Sequence, residues 1–381
     1  MMGDHLWQST LFALAAGLST LFLRKNRASD RYCLWLAASL KFLLPFSMLA
    51  GLGSHLARIP IPAGTKTWLV FVLIPVSQPF AQAAASDASG QSHFLPTLLA
   101  AAWLCGSGAV LATWYVRWRS ICAAIRNAEP LRTGREVAAL RRMERLLRVR
   151  RPIAIVSSPA FMEPGIFGIV SPVLLWPQGI SAHLEDAHLQ AVIAHEVWHV
   201  RRRDNLAAAL HMVVEAAFWF HPLVWWLEAR LVAERERACD EKVLELGSER
   251  SIYAESILKI CQFCAGFPLA CVSRVTGADL KKRIVAIMTE GTLCELTFCK
   301  KLWLCTAGLA IIAAPTLAGS LDTASARAPE PSKNPDGSSS ILAALANRDT
   351  PAGTTMLQLL QAGSVTGATC PNSAPTAHVV P

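Results

Sequence analysis

A chain of 381 residues has room for two or three soluble domains, but 53% apolar residues, only 17% charged residues and a mean hydropathy of +0.36 argue against that arrangement and for a membrane protein. The formal charge of +9 fits nucleic acid, anionic lipid or basic cytoplasmic loops, and the placement of the arginines decides among them. Eleven cysteines with no repeated spacing give no disulfide framework.

Leu6 to Leu23 is an apolar run without a charge, followed by RKNRASDR. A signal peptide carries its positive charges before the apolar run, so this one reads as a retained first span with its N-terminus outside. Cys33 to Gly53 reads as a second span, interrupted by Lys41 and Pro45, and the loop with Arg24, Lys25, Arg27 and Arg31 then lies on the cytoplasmic side. Residues 54 to 94 carry few charges and suit the opposite face; Trp68 to Val76 is too short to cross. Phe94 to Val116 is a third span ending in Trp114 and Tyr115, and RRMERLLRVRR at 141 to 151 follows in a basic segment that pins this end to the cytoplasm. Next to a membrane helix, such a run reads as topology and lipid contact rather than nucleic-acid binding. Residues 1–116 thus form an N-terminal membrane region with helices near 6–23, 33–53 and 94–116.

From Pro152 the pattern turns to β-branched and apolar runs broken by Pro and Gly, which read as strands and turns. The strand Val173 to Trp176 is either a sheet edge that could receive an extended peptide or an ordinary core strand. Leu184 to about Val200 is a helix. Leu206 to Leu227 has the length of a span, but His211, Glu215, His221 and Pro222 interrupt it, so it reads as a buried or membrane-dipping hairpin. Glu228 to Leu246 is a charged helix with Ala, Leu and Val at helical spacing. Further on, Cys261 and Cys264 read as small helical residues, and SILK at Ser256 to Lys259 matches SxxK only as a string, since no SDN or KTG accompanies it. Leu302 to Leu317, after Lys300 and Lys301, is a fourth span within 301–319, and the Pro-, Ser- and Thr-rich tail 320–381 is expected to be disordered and extracytoplasmic.

The chemistry centres on AVIAHEVWHVRRRD, in which His195, Glu196 and His199 spell HExxH. On a helix His195 and His199 stand one turn apart and can offer imidazoles to one zinc ion, while Glu196 can take a proton from a zinc-activated water. A catalytic zinc needs a third protein ligand. HExxHxxGxxH is excluded because position 202 is Arg and position 205 is Asn. The downstream candidates are His211, His221, Glu215 and the acids of the charged helix. Among these Glu236 is preferred, because in ERACD it forms ExxxD with Asp240, a carboxylate that can orient a ligating histidine; Glu234 is the fallback. His221 is also a candidate oxyanion donor, although Pro222 after it favours a turn.

With HEVWHVRRRD, FHPLVWW and ERACDEKVL in place, the chain resembles the BlaR/MecR-type antirepressor metallopeptidases, bacterial membrane gluzincins, over most of positions 1 to 320. The resemblance implies zinc ligands His195, His199 and Glu236, general base Glu196, a supporting Asp240, and Asp204 at a position the family also carries. It implies a mainly α membrane protein with about four transmembrane helices and a cytoplasmic α+β zinc metallopeptidase domain over 117–300, in the bacterial inner membrane. An outside signal would switch it to cleave itself and a DNA-binding repressor. The partners would be that protein substrate and the bilayer, with no direct nucleic-acid contact and with a homodimer compatible.

The beta-lactam sensors of this family carry a penicillin-binding domain after the last span, and a tail of about sixty residues is too short for one, so a different trigger is expected. A quality-control or prenyl-protein-type protease would use the same HExxH and ExxxD. A non-catalytic zinc receptor would have no use for Glu196, and a site-two-type protease would need a later LDG where the chain has only SLDTA.

Overall fold

In the computed structural model, which describes residues 2–45, 48, 94–161, 163–265, 277–289, 297–300, 302–304, 306 and 308, the first two helices are α1 (Met2–Phe22) and α2 (Ala28–Lys41). Ala13 and Ala16 of α1 pack with Tyr32, Trp35 and Ala38 of α2, the small side chains letting the two helices approach closely. α2 begins inside the basic loop rather than at Cys33, and its 14 residues rise only about 21 Å, short of a hydrocarbon core of about 30 Å.

α3 (Phe94–Arg126) is, among the described residues, the one helix long and apolar enough to cross a membrane by length and composition. It runs ten residues past the expected end at Val116, carrying the helix into the basic segment. Leu95, Leu98, Leu99, Leu104 and Leu111 are exposed along it. Gly106 is where it meets the rest of the protein: a Cβ there would fall 2.1 Å from the Trp219 ring, and next to it the Trp103 indole donates to the Ala217 carbonyl at 2.8 Å. The expectations for the loop 54–93, for the later half of the second span, for most of the fourth span and for the tail 320–381 lie outside the described residues.

The sheet contains β1 (Glu129–Pro130), β2 (Ala154–Ser158), β3 (Gly165–Phe167) and β4 (Val173–Pro177) in the order β1-β2-β4-β3, with β2 and β4 parallel and the other pairs antiparallel. Val173 to Trp176 is therefore an interior strand, between β2 and β3, and the edges are β1 and β3. Leu174 and Trp176, on one face of β4, project into the core, while Val173 and Leu175 on the other are half-buried. α4 (Arg135–Leu146) and α5 (Asp186–Arg202) pack against each other and the sheet through Leu140, Met143, Leu189, Ile193 and Val197. The last three recur every four residues on α5 and leave its other face for polar groups.

α6 (Asp204–Ala217) and α7 (Pro222–Glu245) form the hairpin read from the sequence. Pro222 sits in the first turn of α7, where its missing N–H costs nothing. His221 next to it lies 3.4 Å from Thr10 of α1, and its ring packs edge-on to Phe42, so the hairpin turn belongs to the α1–α2 side of the molecule. α8 (Arg250–Ala265) and α9 (Gly277–Thr289) close the core from the far side.

α2 is fastened to α7 by polar contacts in a largely buried seam. Arg31 Nε donates to Glu234 at 2.9 Å, both side chains being nearly covered (7% and 12% exposed). Glu241 accepts the Ala28 N–H at 2.9 and 3.0 Å and places a negative charge at the positive end of α2. Removing one partner of a buried pair strands the other charge, so Arg31→Ala is expected to cost about 3–5 kcal/mol, whereas Arg31→Met with Glu234→Leu recovers most of it. Thermal unfolding of the detergent-solubilised variants checks this; equal melting of wild type and Arg31→Ala would mean the pair fastens nothing.

Candidate metal centre

His195 and His199 stand one turn apart on α5, and the chain breaks immediately after. Arg203 takes a left-handed conformation (φ 60°), costly for a residue with a Cβ, and ends α5. Had the helix continued, Asp204 would sit about 140° round the axis from His199. The break instead starts α6 at Asp204 and brings its buried carboxylate 2.7 Å from His199 Nδ1. A carboxylate accepts only, so His199 donates through Nδ1 and keeps the Nε2 lone pair free.

His195 is oriented in the same sense from other elements. Its Nδ1 lies 2.9 Å from the Tyr253 hydroxyl of α8, and that hydroxyl donates to Asp240 Oδ1 of α7 at 2.6 Å. Tyr253 has therefore spent its proton and accepts from His195 Nδ1. The two free Nε2 atoms face each other at 3.3 Å. Glu236 of α7 brings Oε2 to 3.3 Å from His195 Nε2 and Oε1 to 3.9 Å from His199 Nε2. Two donors on one tetrahedral zinc at the usual bond length of about 2.0–2.1 Å stand about 3.3–3.4 Å apart, the spacing of the two imidazoles and of Glu236 with His195; the 3.9 Å from Glu236 to His199 is about half an ångström longer, within reach of a small turn of the Glu236 side chain. Glu196 is buried and lines the same cavity of about 620 Å³, which Gly165 and Ile166 of the edge strand also border.

A family model, the BlaR1 peptidase M56, matches residues 5–287, three quarters of the chain and all of this centre. The chain belongs to the BlaR1 peptidase M56 family. It is 26% identical over 231 residues to the regulatory protein BlaR1 of Bacillus licheniformis, an alignment covering 59% of this chain and 38% of that protein. It is also 30% identical over 112 residues to the methicillin resistance mecR1 protein of Staphylococcus aureus, covering 29% of this chain and 19% of that protein. The matches thus span well under half the length of these relatives.

A metal is the expected tenant of an M56 peptidase site, and the electrostatics suit a cation. Burial alone would lower the pKa of His195, but Asp240 and Glu236 outweigh it and lift it to about 9, so the pocket favours positive charge at Nε2, as a proton or as an ion in the proton's place. Burial would raise Glu236 and Asp240, yet the hydrogen bond from His195 and the charge of His199 hold Glu236 well down, and the charge of Arg283 lowers Asp240. Cys239 offers a rival donor: its sulfur lies within 4.8 Å of both histidine ligand atoms. It sits 3.4 Å from His199 Nδ1, the nitrogen already committed to Asp204. Burial first, then the charges of Glu236 and Asp204, push its thiol well up.

The structure brings His195, Glu196, His199, Asp204, Glu236 and Asp240 together. Of the other sequence candidates, Glu234 is taken by Arg31 and His221 by the α1–α2 side, while His211 and Glu215 line the same cavity but face each other at 3.5 Å, with His211 also 2.7 Å from Ser39. Ser256 donates to the Tyr253 carbonyl and Lys259 pairs with Glu255, so SILK is a piece of ordinary helix. Two residues escaped sequence reasoning, Tyr253 and Arg283. Tyr253 is one of only three tyrosines, a weak signal in itself, and Arg283 in KKRIVAI reads like any surface cation.

Because Tyr253 carries the only hydroxyl between His195 and Asp240, Tyr253→Phe is expected to weaken metal binding by about 10–100-fold while leaving the fold intact. Competition with a chromogenic chelator measures this. Wild-type affinity in the variant would show that His195 does not depend on that link.

Proposed function

We propose that this chain is a membrane-bound zinc endopeptidase of a signalling pathway, which cleaves itself and a DNA-binding repressor when an extracytoplasmic signal arrives. The observation that carries the reading is the convergence of His195, His199 and Glu236, at separations that suit one tetrahedral ion, beside an intact Glu196. A structural site would need no base there. Zinc held by these three residues would acidify a bound water and polarise the carbonyl to be attacked. Glu196 accepts the proton released by that water and delivers it to the nitrogen of the departing amine. Asp204, and Asp240 through Tyr253, keep both histidines in the ligating tautomer.

β3 is the natural seat for an extended substrate segment, because it is the sheet edge that borders the cavity. Asn205, one residue past Asp204, donates to the Ile166 and Gly168 carbonyls at 3.1 and 2.9 Å and so ties that edge to the start of α6. The membrane frame carried forward is four spans with the N-terminus outside and the peptidase facing the cytoplasm of a bacterial inner membrane. It is supported by the exposed apolar surface of α3 and the basic segments after α1 and α3. The relatives' names, a regulatory protein and a methicillin resistance protein, support a place in signalling.

Glu196→Gln separates chemistry from metal binding. In the purified full chain the variant is expected to lose self-cleavage and casein cleavage by about 10²–10⁴-fold while retaining wild-type zinc. Mass-spectrometric fragment analysis with metal quantification reads both. Cleavage at the wild-type rate would rule out Glu196 as the base.

A further inference from the structure

We propose that Arg283 is a catalytic residue of this centre, the cation that meets the carbonyl oxygen of the scissile peptide as that oxygen gains negative charge. The inference rests on the peptidase reading above. Arg283 reaches in from α9, the last described helix of the domain, and lines the same cavity as His195, His199 and Glu196. Its Nε and Nη2 donate to the two oxygens of Asp240 at 2.8 and 2.7 Å, a bidentate fork that fixes the plane of the guanidinium. Asp240 is itself tied through the Tyr253 hydroxyl to His195, so the fork is held in register with a ligand histidine.

What the fork leaves over is the reason for the assignment. A counter-ion for Asp240 needs only Nε and Nη2. The remaining edge of the guanidinium faces the ligand nitrogens and oxygens: Nη2 also lies 3.5 Å from His195 Nε2 and 3.4 Å from the Tyr253 hydroxyl, and Nη1 forms an ion pair with Glu236 Oε2 at 3.6 Å, a separation that leaves its N–H groups without a close hydrogen bond to that carboxylate. That places N–H groups on the cavity side, one step outside the ligand atoms, where the oxygen of an attacked carbonyl would emerge. The other arginine at the centre, Arg235, spends Nε and Nη2 on Glu236 Oε1 at 3.2 Å, the oxygen nearer His199. His221, the sequence candidate for this role, lies on the α1–α2 side.

In the step itself, water oxygen bonds to the carbonyl carbon, the C=O π pair moves onto oxygen, and Arg283 donates a hydrogen bond to that oxygen without losing a proton. When the C–N bond breaks, the pair returns to re-form C=O and Glu196 supplies the proton to nitrogen. A donor placed in advance and already charged is worth most where charge develops, and removing one such donor costs about 10²–10³-fold in kcat.

The test uses the full chain in lipid nanodiscs with labelled casein, comparing wild type, Arg283→Gln, Arg283→Lys, the double variant Arg283→Gln with Asp240→Asn, and Glu196→Gln. At saturating zinc Arg283→Gln is expected to lower kcat by about 10²–10³-fold with little change in KM, while the stranded Asp240 lowers its melting temperature, and Arg283→Lys to restore part of both. The double variant removes the stranded carboxylate, so it regains melting temperature; it needs more zinc to saturate, because Asp240 no longer orients His195, and at saturating zinc it stays as slow as Arg283→Gln. Two results overturn the assignment: Arg283→Gln at saturating zinc cleaving within a few-fold of wild type, or the double variant recovering its rate as it recovers its melting temperature. If Glu196→Gln is inert while Arg283→Gln is fully active, only Arg283 loses its role; if Glu196→Gln itself cleaves normally, the peptidase reading falls first.

Discussion

Two imidazole nitrogens held 3.3 Å apart beside a carboxylate, in a pocket mostly closed to water, persist only where every neighbour fixes them. Much of the architecture answers to that constraint. The left-handed Arg203 breaks α5 so that Asp204 can turn back on His199. α8 supplies Tyr253 and α9 supplies Arg283, and both converge on Asp240, which steadies His195. Glu236 depends in turn on the position of α7, and α7 is fastened to α2 by Arg31–Glu234 and by Glu241 at the start of that helix. Glu234 and Glu236, two residues apart, point to different sides of α7, one to the α2 seam and the other to the metal centre. A shift of α2 against α7 would therefore be felt directly at a ligand. The seam is a short route from the N-terminal helices to the candidate metal centre.

The part of this centre that the sequence made legible is the part encoded at short range. HExxH places two imidazoles on one helical face by spacing alone, ExxxD does the same for Glu236 and Asp240, and Pro222 marks the turn between α6 and α7, although the helix read as starting at Glu228 begins at that proline. The choice of Glu236 over Glu234 came from the motif, and the buried pair with Arg31 explains physically why Glu234 is not free for the task. What was not legible came from long range. Tyr253 and Arg283 stand 58 and 88 residues from His195 in sequence, and nothing in their local pattern separates them from a core tyrosine and a surface arginine.

The sheet shows the same division. An apolar run such as Val173 to Trp176 identifies a strand but not its neighbours, because an edge and an interior strand differ in hydrogen-bonding partners rather than in composition. Here β3, only three residues long, takes one edge, and its short length gives the sequence little to display. The helix α3 outruns the apolar stretch Phe94 to Val116 for a related reason. Membrane spans are read by hydropathy, yet the helix continues through the basic residues to Arg126, since leaving the apolar layer does not end backbone hydrogen bonding.

The cavity joins these themes, for its walls include Trp114 and Arg117 of α3 as well as His195, Glu196 and His199. The candidate membrane helix, the edge strand and the candidate metal centre thus border one space, and the residues that would hold an ion there decide its chemistry. Zinc-edge X-ray absorption of the purified full chain tests that most directly. The structure predicts a first shell of nitrogen and oxygen only, at about 2.0–2.2 Å, with imidazole scattering from two histidines. A sulfur neighbour at about 2.3 Å would put Cys239 in place of Glu236 and contradict the ligand set.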